Sequence, residues 1–259
     1  MQISKKQFYC GTTEDFMSTQ RKRKEKNDYF LGKSIPTLFC TPSQTRALLS
    51  EGRRLVLFVR HGTTDWNLQA RLQGRVEVPL NRLGKKQAEG CADGIHRALD
   101  GHAEVSAVFS SPLSRAYNTA EYISRRVGIE SPVIEEELIE REYGAVTGMT
   151  YAARRELFRI GKGHPDDMEG VTDTAQRMKH AVKNMLRRSE ADGVIIAVTH
   201  GGILNSFYSH ITCKRAGCCG NIFANCAIGL VCAGQRDVIP VAFNLGTQDL
   251  HAFMEELSL

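Results

Sequence analysis

No apolar run in this sequence approaches the roughly 20 residues that a membrane-spanning helix needs, so no membrane partner is expected. The first residues, MQISKKQFYCGTTEDFMSTQ, lack the unbroken apolar stretch of a secretory leader. Aromatic residues are sparse at 7%, and the one tryptophan, Trp66, is expected in the core rather than stacked on a ligand. There is no internal repeat and no low-complexity tract, which excludes repeat architectures. Eight cysteines are scattered over 259 residues without the density of a disulfide framework. They read as buried thiols, and a reducing, cytoplasmic location is the expectation. Cys213, Cys218, Cys219 and Cys226 cluster, but their C-x₄-C-C-x₆-C spacing is not a usual zinc pattern. Neither a metal nor a cofactor is expected.

The charge is unevenly placed. Residues 1–50 carry nine Lys/Arg against four Asp/Glu, whereas residues 51–259 carry 25 of each. The net +5 therefore belongs to an N-terminal extension, mainly the run Arg21–Lys26. Such a run can meet nucleic acid or an anionic surface, but a solvated and partly flexible arm is the plainer reading, and nucleic acid is not expected as a partner. The body, residues 51–259, is balanced, so attraction for an anionic substrate must be local to a site.

From about Glu51 onward, strand and helix signals alternate. Arg54–Val59, Val105–Phe109 and Val194–Val198 are short, continuous apolar runs and read as buried strands. Glu130–Leu138 reads as an edge strand with a loop, and Cys226–Cys232 and Val238–Phe243 as closing strands. Helices are predicted over Gly84–Leu99, Leu113–Val127, Tyr151–Ile160, Thr172–Ser189 and Gly201–His210. Continuous rather than alternating apolar strands, interleaved with helices, predict an α/β fold with its sheet covered on both faces.

Ligands of such sheets bind beyond the carboxyl ends of the strands. Those ends carry Arg60-His61-Gly62-Thr63-Thr64-Asp65-Trp66-Asn67, Ser110-Ser111-Pro112-Leu113-Ser114-Arg115 and Thr199-His200-Gly201-Gly202. The loop after the edge strand carries Glu140-Arg141-Glu142-Tyr143-Gly144. Two His, two Arg and an acid suit phosphoryl transfer, which is mostly positioning and charge stabilisation. Arg60 and Arg115 offer forks that match phosphate oxygens. A neutral His61 is a competent nucleophile, and Gly62 lets backbone approach closely behind it. Glu140 could protonate the leaving oxygen and then activate water. By contrast, Cys40-Thr41-Pro42-Ser43-Gln44-Thr45-Arg46 has the C-x₅-R spacing of cysteine-dependent phosphatases but no glycine, and a proline removes an amide donor. It is not read as a phosphate loop.

RHGTTDWN, SSPLSRAYNTA, LIEREYGAVTGMT and VTHGG, in that order, resemble the histidine phosphatase superfamily, the phosphoglycerate-mutase-like group. The resemblance runs from about Arg54 to Phe243. It implies a three-layer α/β/α sandwich with a mixed, mostly parallel sheet. It points to Glu140 rather than Glu142 as proton donor and to His200 as the second catalytic histidine, beside His61, Arg60 and Arg115. It also implies substrate or phosphate contacts from Asn67, Gln73, Gly74, Tyr143 and Gly201. Only 59 residues separate Glu140 from His200, so the longer stretch that walls off the mutase site is absent. Arg71-Leu72-Gln73-Gly74 likewise resembles phosphatase members. In this sequence Glu142 and Thr172 stand where many relatives have His and Ser.

The expectation is a metal-independent phosphomonoesterase of a small phosphorylated metabolite, such as a phosphosugar or phosphoglycerate. A phosphoglycerate mutase and a non-catalytic interaction module of the same fold are the alternatives, and a homodimer is left open.

Overall fold

The computed structural model describes residues 35–161, 164–190, 192–218 and 221–258. Its strands are β1 (Thr37–Leu38), β2 (Arg54–Arg60), β3 (Val105–Ser110), β4 (Val133–Ile134), β5 (Val194–Thr199), β6 (Ile228–Ala233) and β7 (Val238–Leu245). Its helices are α1 (Pro42–Ser50), α2 (Asp65–Leu68), α3 (Arg82–Leu99), α4 (Ser114–Arg126), α5 (Tyr151–Arg159), α6 (Val171–Arg188), α7 (Gly201–Ile211) and α8 (Thr247–Ser258). One mixed sheet runs in the order β1-β7-β6-β2-β5-β3-β4. The β2/β5, β3/β5 and β3/β4 pairs are parallel, and β1/β7, β6/β7 and β2/β6 are antiparallel.

The apolar runs explain the layering. Along β2, Leu55, Leu57 and Val59 face one cluster, which α3, α4 and α8 complete with Ile95, Ala120 and Phe253. Val56 and Phe58 face the other, where α6 and α7 supply Met178, Val182, Ile203 and Phe207. Strand β5 divides in the same way, with Ile196 on the first side and Ile195 on the second. Each such side chain, buried rather than exposed, contributes about 1.5–3 kcal/mol, so neither face could be left wet. Three layers, α/β/α, are the result. No helix among the described residues is long and apolar enough to cross a membrane.

Several elements differ from the sequence reading. The composition shift near Glu51 is not a structural boundary. Thr37 and Leu38 pair with Phe243 and Ala242, and α1 packs beside α8, where the Arg46 guanidinium donates to the carbonyls of Glu256 and Leu257. The C-x₅-R stretch turns out to be a helix start. Thr41 caps α1, Pro42 occupies the first turn, and Gln44 closes a capping box on Thr41. The basic run Arg21–Lys26 and Cys219 lie outside the described residues. Only Val133–Ile134 of the expected edge strand pairs, before a 3₁₀ turn over Glu136–Leu138. β6 begins at Ile228, because Cys226 takes a left-handed conformation with φ 57°. Trp66 is half-buried, its ring lying beside Gly148.

Register fixes the site. Arg60 pairs with Thr199, and Ser110 with Val198. The parallel strands β2, β5 and β3 therefore end side by side, and the segments beginning at His61, His200 and Ser111 leave the sheet as neighbours.

Candidate active site

His61 follows the last residue of β2. Its backbone N–H donates to Thr199 O at 3.0 Å, which continues the ladder by one rung. Its Nδ1 lies 2.7 Å from the carbonyl oxygen of Gly62, which can only accept. Nδ1 therefore carries the proton, and Nε2 carries the lone pair. A methyl group at Gly62 would stand 2.4 Å from Gly84 O, so the turn behind the imidazole lies flush against the start of α3. Asn225 Nδ2 donates to His61 O at 2.9 Å and holds the turn from the β6 side.

His200 stands in front of it, ring centroid to ring centroid 5.2 Å. Ser111 Oγ lies 2.7 Å from His200 Nε2 and accepts from the Leu113 N–H. The Ser111 hydroxyl thus ties the His200 ring to the loop after β3. Both imidazoles are buried, at 2% and 0% exposure. Burial, then the charges of Arg115 and Arg60, hold the His61 imidazole well below its ordinary value near 6.5. Burial, Arg115, His61 and Arg60 do the same for His200.

The sign of the pH effect on stability follows. Below about 6.5 the unfolded chain takes up protons on these two rings while the folded chain stays neutral. The free energy of unfolding is therefore expected to fall as pH drops from about 7 to 5. Urea unfolding across that range checks this, and His61→Ala should show a shallower fall than the unmodified protein. Equal slopes would mean that the ring is not held neutral by its surroundings.

Arg115, on the first turn of α4, has no exposed surface. Its two Nη atoms donate to Val76 O and Gly74 O, each at 2.8 Å, so the guanidinium plane is fixed. Gly74 sits at φ 53°, which aims its carbonyl at Arg115; that is the contact the structure gives to this residue. Arg60 Nη1 donates to Phe223 O, and its guanidinium lies against Gly201. The Nε atoms of Arg60 and Arg115 and Nδ1 of His200 are all buried without a hydrogen-bond partner. Two unpaired guanidinium N–H groups on arginines whose charges act on His61 suit an anion there, because buried donors are otherwise almost always satisfied.

Asn67 Oδ1 accepts from the Thr64 N–H and from Asn225 Nδ2, so its carbonyl end is occupied and its NH₂ end can serve a ligand. Gln73 is buried, its Oε1 accepting from the Thr64 hydroxyl at 3.0 Å. Glu140 accepts three backbone N–H groups, from Arg141 at 2.7 Å, Ile203 at 2.8 Å and Gly202 at 3.0 Å. Its carboxylate thus caps the N-terminus of α7, where the helix dipole favours negative charge. A side chain on Gly202 would collide with Tyr143 Oη and Glu140 Oε1, so this glycine makes room for both. Tyr143 is buried, and burial first, then Glu140, pushes its phenol up.

Sequence reasoning missed four supports. They are Ser111, Asn225, Thr119, whose Oγ1 accepts the Gly62 N–H, and Arg177. Arg177 donates to Glu137 O and Ile139 O and grips Glu169 with two bonds of 2.8 and 2.9 Å, which fixes the loop bearing Glu140. Burial alone would raise the Glu169 carboxyl, but Arg177 holds it below its usual range. Asn225 and Arg177 lie far from any motif, and only tertiary structure brings them in. Among the described residues, no group of three His, Cys, Asp or Glu is placed to hold a metal ion.

A family model described as the histidine phosphatase superfamily (branch 1) matches residues 56–238. A metal-independent phosphoserine phosphatase of Arabidopsis thaliana is 30% identical over 167 residues, covering 61% of this chain and 68% of the relative. A 2,3-bisphosphoglycerate-dependent phosphoglycerate mutase of Gloeobacter violaceus is 29% identical over 164 residues, 59% of this chain and 73% of the relative. Among solved structures, a mycobacterial glucosyl-3-phosphoglycerate phosphatase superposes with a TM-score of 0.61 at 24% identity, over 74% of this chain and all of its own, a likeness of fold.

Proposed function

The chain belongs to the histidine phosphatase superfamily, and we propose that it is a metal-independent phosphomonoesterase that works through a phosphohistidine at His61 on a small phosphorylated metabolite. The observation that carries this is the free Nε2 lone pair of His61, buried beside His200 and within the field of Arg60 and Arg115, whose Nε atoms are buried without a partner. In the first step Nε2 attacks phosphorus as the ester P–O bond breaks, and Glu140 gives a proton to the departing oxygen. In the second, water attacks phosphorus, its proton passes to Glu140, and the P–N bond breaks to release phosphate. Arg60, Arg115, His200 and the Asn67 amide hold the equatorial oxygens throughout. The positive charge that a metal supplies in other phosphatases comes here from two guanidinium groups, which supports the metal-independent reading. Glu140 Oε1 accepts two of its hydrogen bonds and Oε2 one, so Oε2 has a lone pair left to carry the proton while the three amides stay in place.

A relative named as a mutase sets the competing outcome, and the short segment between Glu140 and His200 favours hydrolysis over it. A cytoplasmic location is part of the same proposal. The test is hydrolysis of p-nitrophenyl phosphate with EDTA present, followed by 3-phosphoglycerate with a trace of bisphosphate. Free phosphate at an unchanged rate in EDTA is the expected result. Loss of turnover on chelation would remove metal independence, and 2-phosphoglycerate without free phosphate would make the protein a mutase.

A further inference from the structure

Two thiols that the reaction does not use meet beside the turn that holds the nucleophile. Cys91, on α3, is 4% exposed, and its Sγ lies 3.5 Å from the carbonyl oxygen of Cys226. It also bonds to the Cys226 side chain, and that bond first, then burial, pushes the Cys91 thiol well up. Both cysteines are free, and Cys226 is only half-buried. Cys40 and Cys232 are also neighbours, but both are buried and the Cys40 thiol is turned to Pro240 O on β7.

Cys226 is tied to the active site through its own turn. The Ala227 N–H donates to Ala224 O at 3.2 Å, so residues 224–227 form a tight turn with Cys226 in third position. The φ of 57° there suits glycine better than a residue with a side chain. Cys226 N–H donates to Arg60 O at 2.9 Å, and Arg60 N–H to Ala227 O at 3.2 Å. Asn225, in the same turn, donates to His61 O at 2.9 Å and to Asn67 Oδ1 at 3.3 Å. On the other side, the helix that carries Cys91 begins against Gly62, through Gly84. The two sulfurs therefore connect the two elements that flank the His61 loop. They are in hydrogen-bond contact, whereas a disulfide needs them about 2.05 Å apart, so closing that bond draws the turn toward α3 by roughly an ångström or more.

We propose that Cys91 and Cys226 are a redox switch, joined by a hydroperoxide into a disulfide that pulls the Asn225 turn away from His61 and stops phosphoryl transfer. The half-buried Cys226 meets the oxidant. Its sulfur attacks the O–O bond of hydrogen peroxide, which gives the sulfenic acid and one water. Cys91 sulfur then attacks Cys226 sulfur, the S–O bond breaks, and a second water leaves. Two thiols are oxidised to one disulfide, both peroxide oxygens are reduced to water, and the thiol protons end in those waters. Exchange with a dithiol reverses the step. Disulfides of this kind in a reducing compartment are transient and redox-sensing rather than structural. The inference rests on the phosphatase reading for its effect on turnover, whereas the bond itself is read without turnover.

The test treats the reduced full chain with hydrogen peroxide, digests it without reductant and maps the linked peptides by mass spectrometry. Hydrolysis of p-nitrophenyl phosphate is followed in parallel. The expected result is a Cys91–Cys226 link whose appearance tracks a loss of rate of at least about tenfold, since a misplacement near 1 Å can cost on the order of 10²-fold. Dithiothreitol should remove the link and restore the rate. Cys226→Gly, which suits the left-handed turn, and Cys91→Ala should each keep the activity of the reduced protein and lose its sensitivity to peroxide. Thermal unfolding shows which variants fold, and either one is sufficient. Reversible inactivation that survives in a folded variant would overturn the proposal. So would a Cys40–Cys232 link in place of the expected one, or a Cys91–Cys226 link that leaves the rate unchanged. Absent turnover by the reduced protein would instead be failure of the phosphatase reading. The switch is then read from binding of inorganic phosphate by calorimetry, where weaker binding after oxidation supports it and unchanged binding overturns it.

Discussion

Replacing His61 by alanine should lower the rate of phosphate release from p-nitrophenyl phosphate by at least about 10⁴-fold, the scale seen when a nucleophile is removed from a preorganised site. The argument is geometric. The Nδ1 proton is committed to Gly62 O, so Nε2 is the free lone pair of the ring, in a site where Arg60 Nε and Arg115 Nε are buried donors without a partner. Those donors survive the substitution, so phosphate binding should persist while transfer stops. The Thr199 O and Asn225 contacts at this position are made by backbone atoms, so the fold should persist as well. A second readout separates loss of the nucleophile from general damage. The unmodified protein, quenched in alkali during turnover, should carry a phosphoryl group that acid removes, as expected of a P–N bond, and the variant should carry none. Residual activity above one part in ten, or a label retained by the variant, would exclude His61 as the acceptor.

Glu140→Gln is expected to lower kcat by about 10²–10⁴-fold with an alkyl phosphate such as glycerol phosphate, the range for loss of a positioned acid and base. With p-nitrophenyl phosphate the loss should be much smaller on the transfer step, because the departing phenolate needs little protonation. That contrast matters because Glu140 also has a structural role. Its oxygens accept from Arg141, Gly202 and Ile203, and an amide would turn one of those acceptors into a donor facing an N–H. About 1–3 kcal/mol of stability should be lost for that reason alone. A merely structural residue would slow the transfer step of both esters equally, so equal slowing of that step would remove Glu140 as the acid; its part as base is read separately, from the rate at which the phosphoenzyme is hydrolysed.

The parts of this site that lie within one strand and its following turn were legible in the sequence. Continuous apolar runs announced β2, β3 and β5, and polar residues at their ends announced Arg60, His61, Arg115 and His200. The layered α/β fold followed from the same runs. Short elements escaped for a physical reason. β1 pairs over two residues and α2 spans four, too few for any periodicity to show. α1 was detectable, since Thr41, Pro42 and Gln44 spell a helix start, but its nine residues carry too little periodicity to stand out from the stretch before Glu51. Ser111, Asn225 and Arg177 were invisible as site residues because each works on a partner distant in the chain, through an oxygen or nitrogen that many side chains could offer.

The pairing of Arg60 with Thr199 has a consequence beyond this reaction. Between His61 and His200 the chain leaves the sheet, builds β3, β4 and four further helices after the short α2, and returns, yet the two rings are set by a single rung of the ladder. Length added or removed in the loops between them changes the contour of the chain but not the spacing of the rings. The loops and helices between the two rings are therefore free to vary while the groups that carry the transfer chemistry stay fixed on the strands.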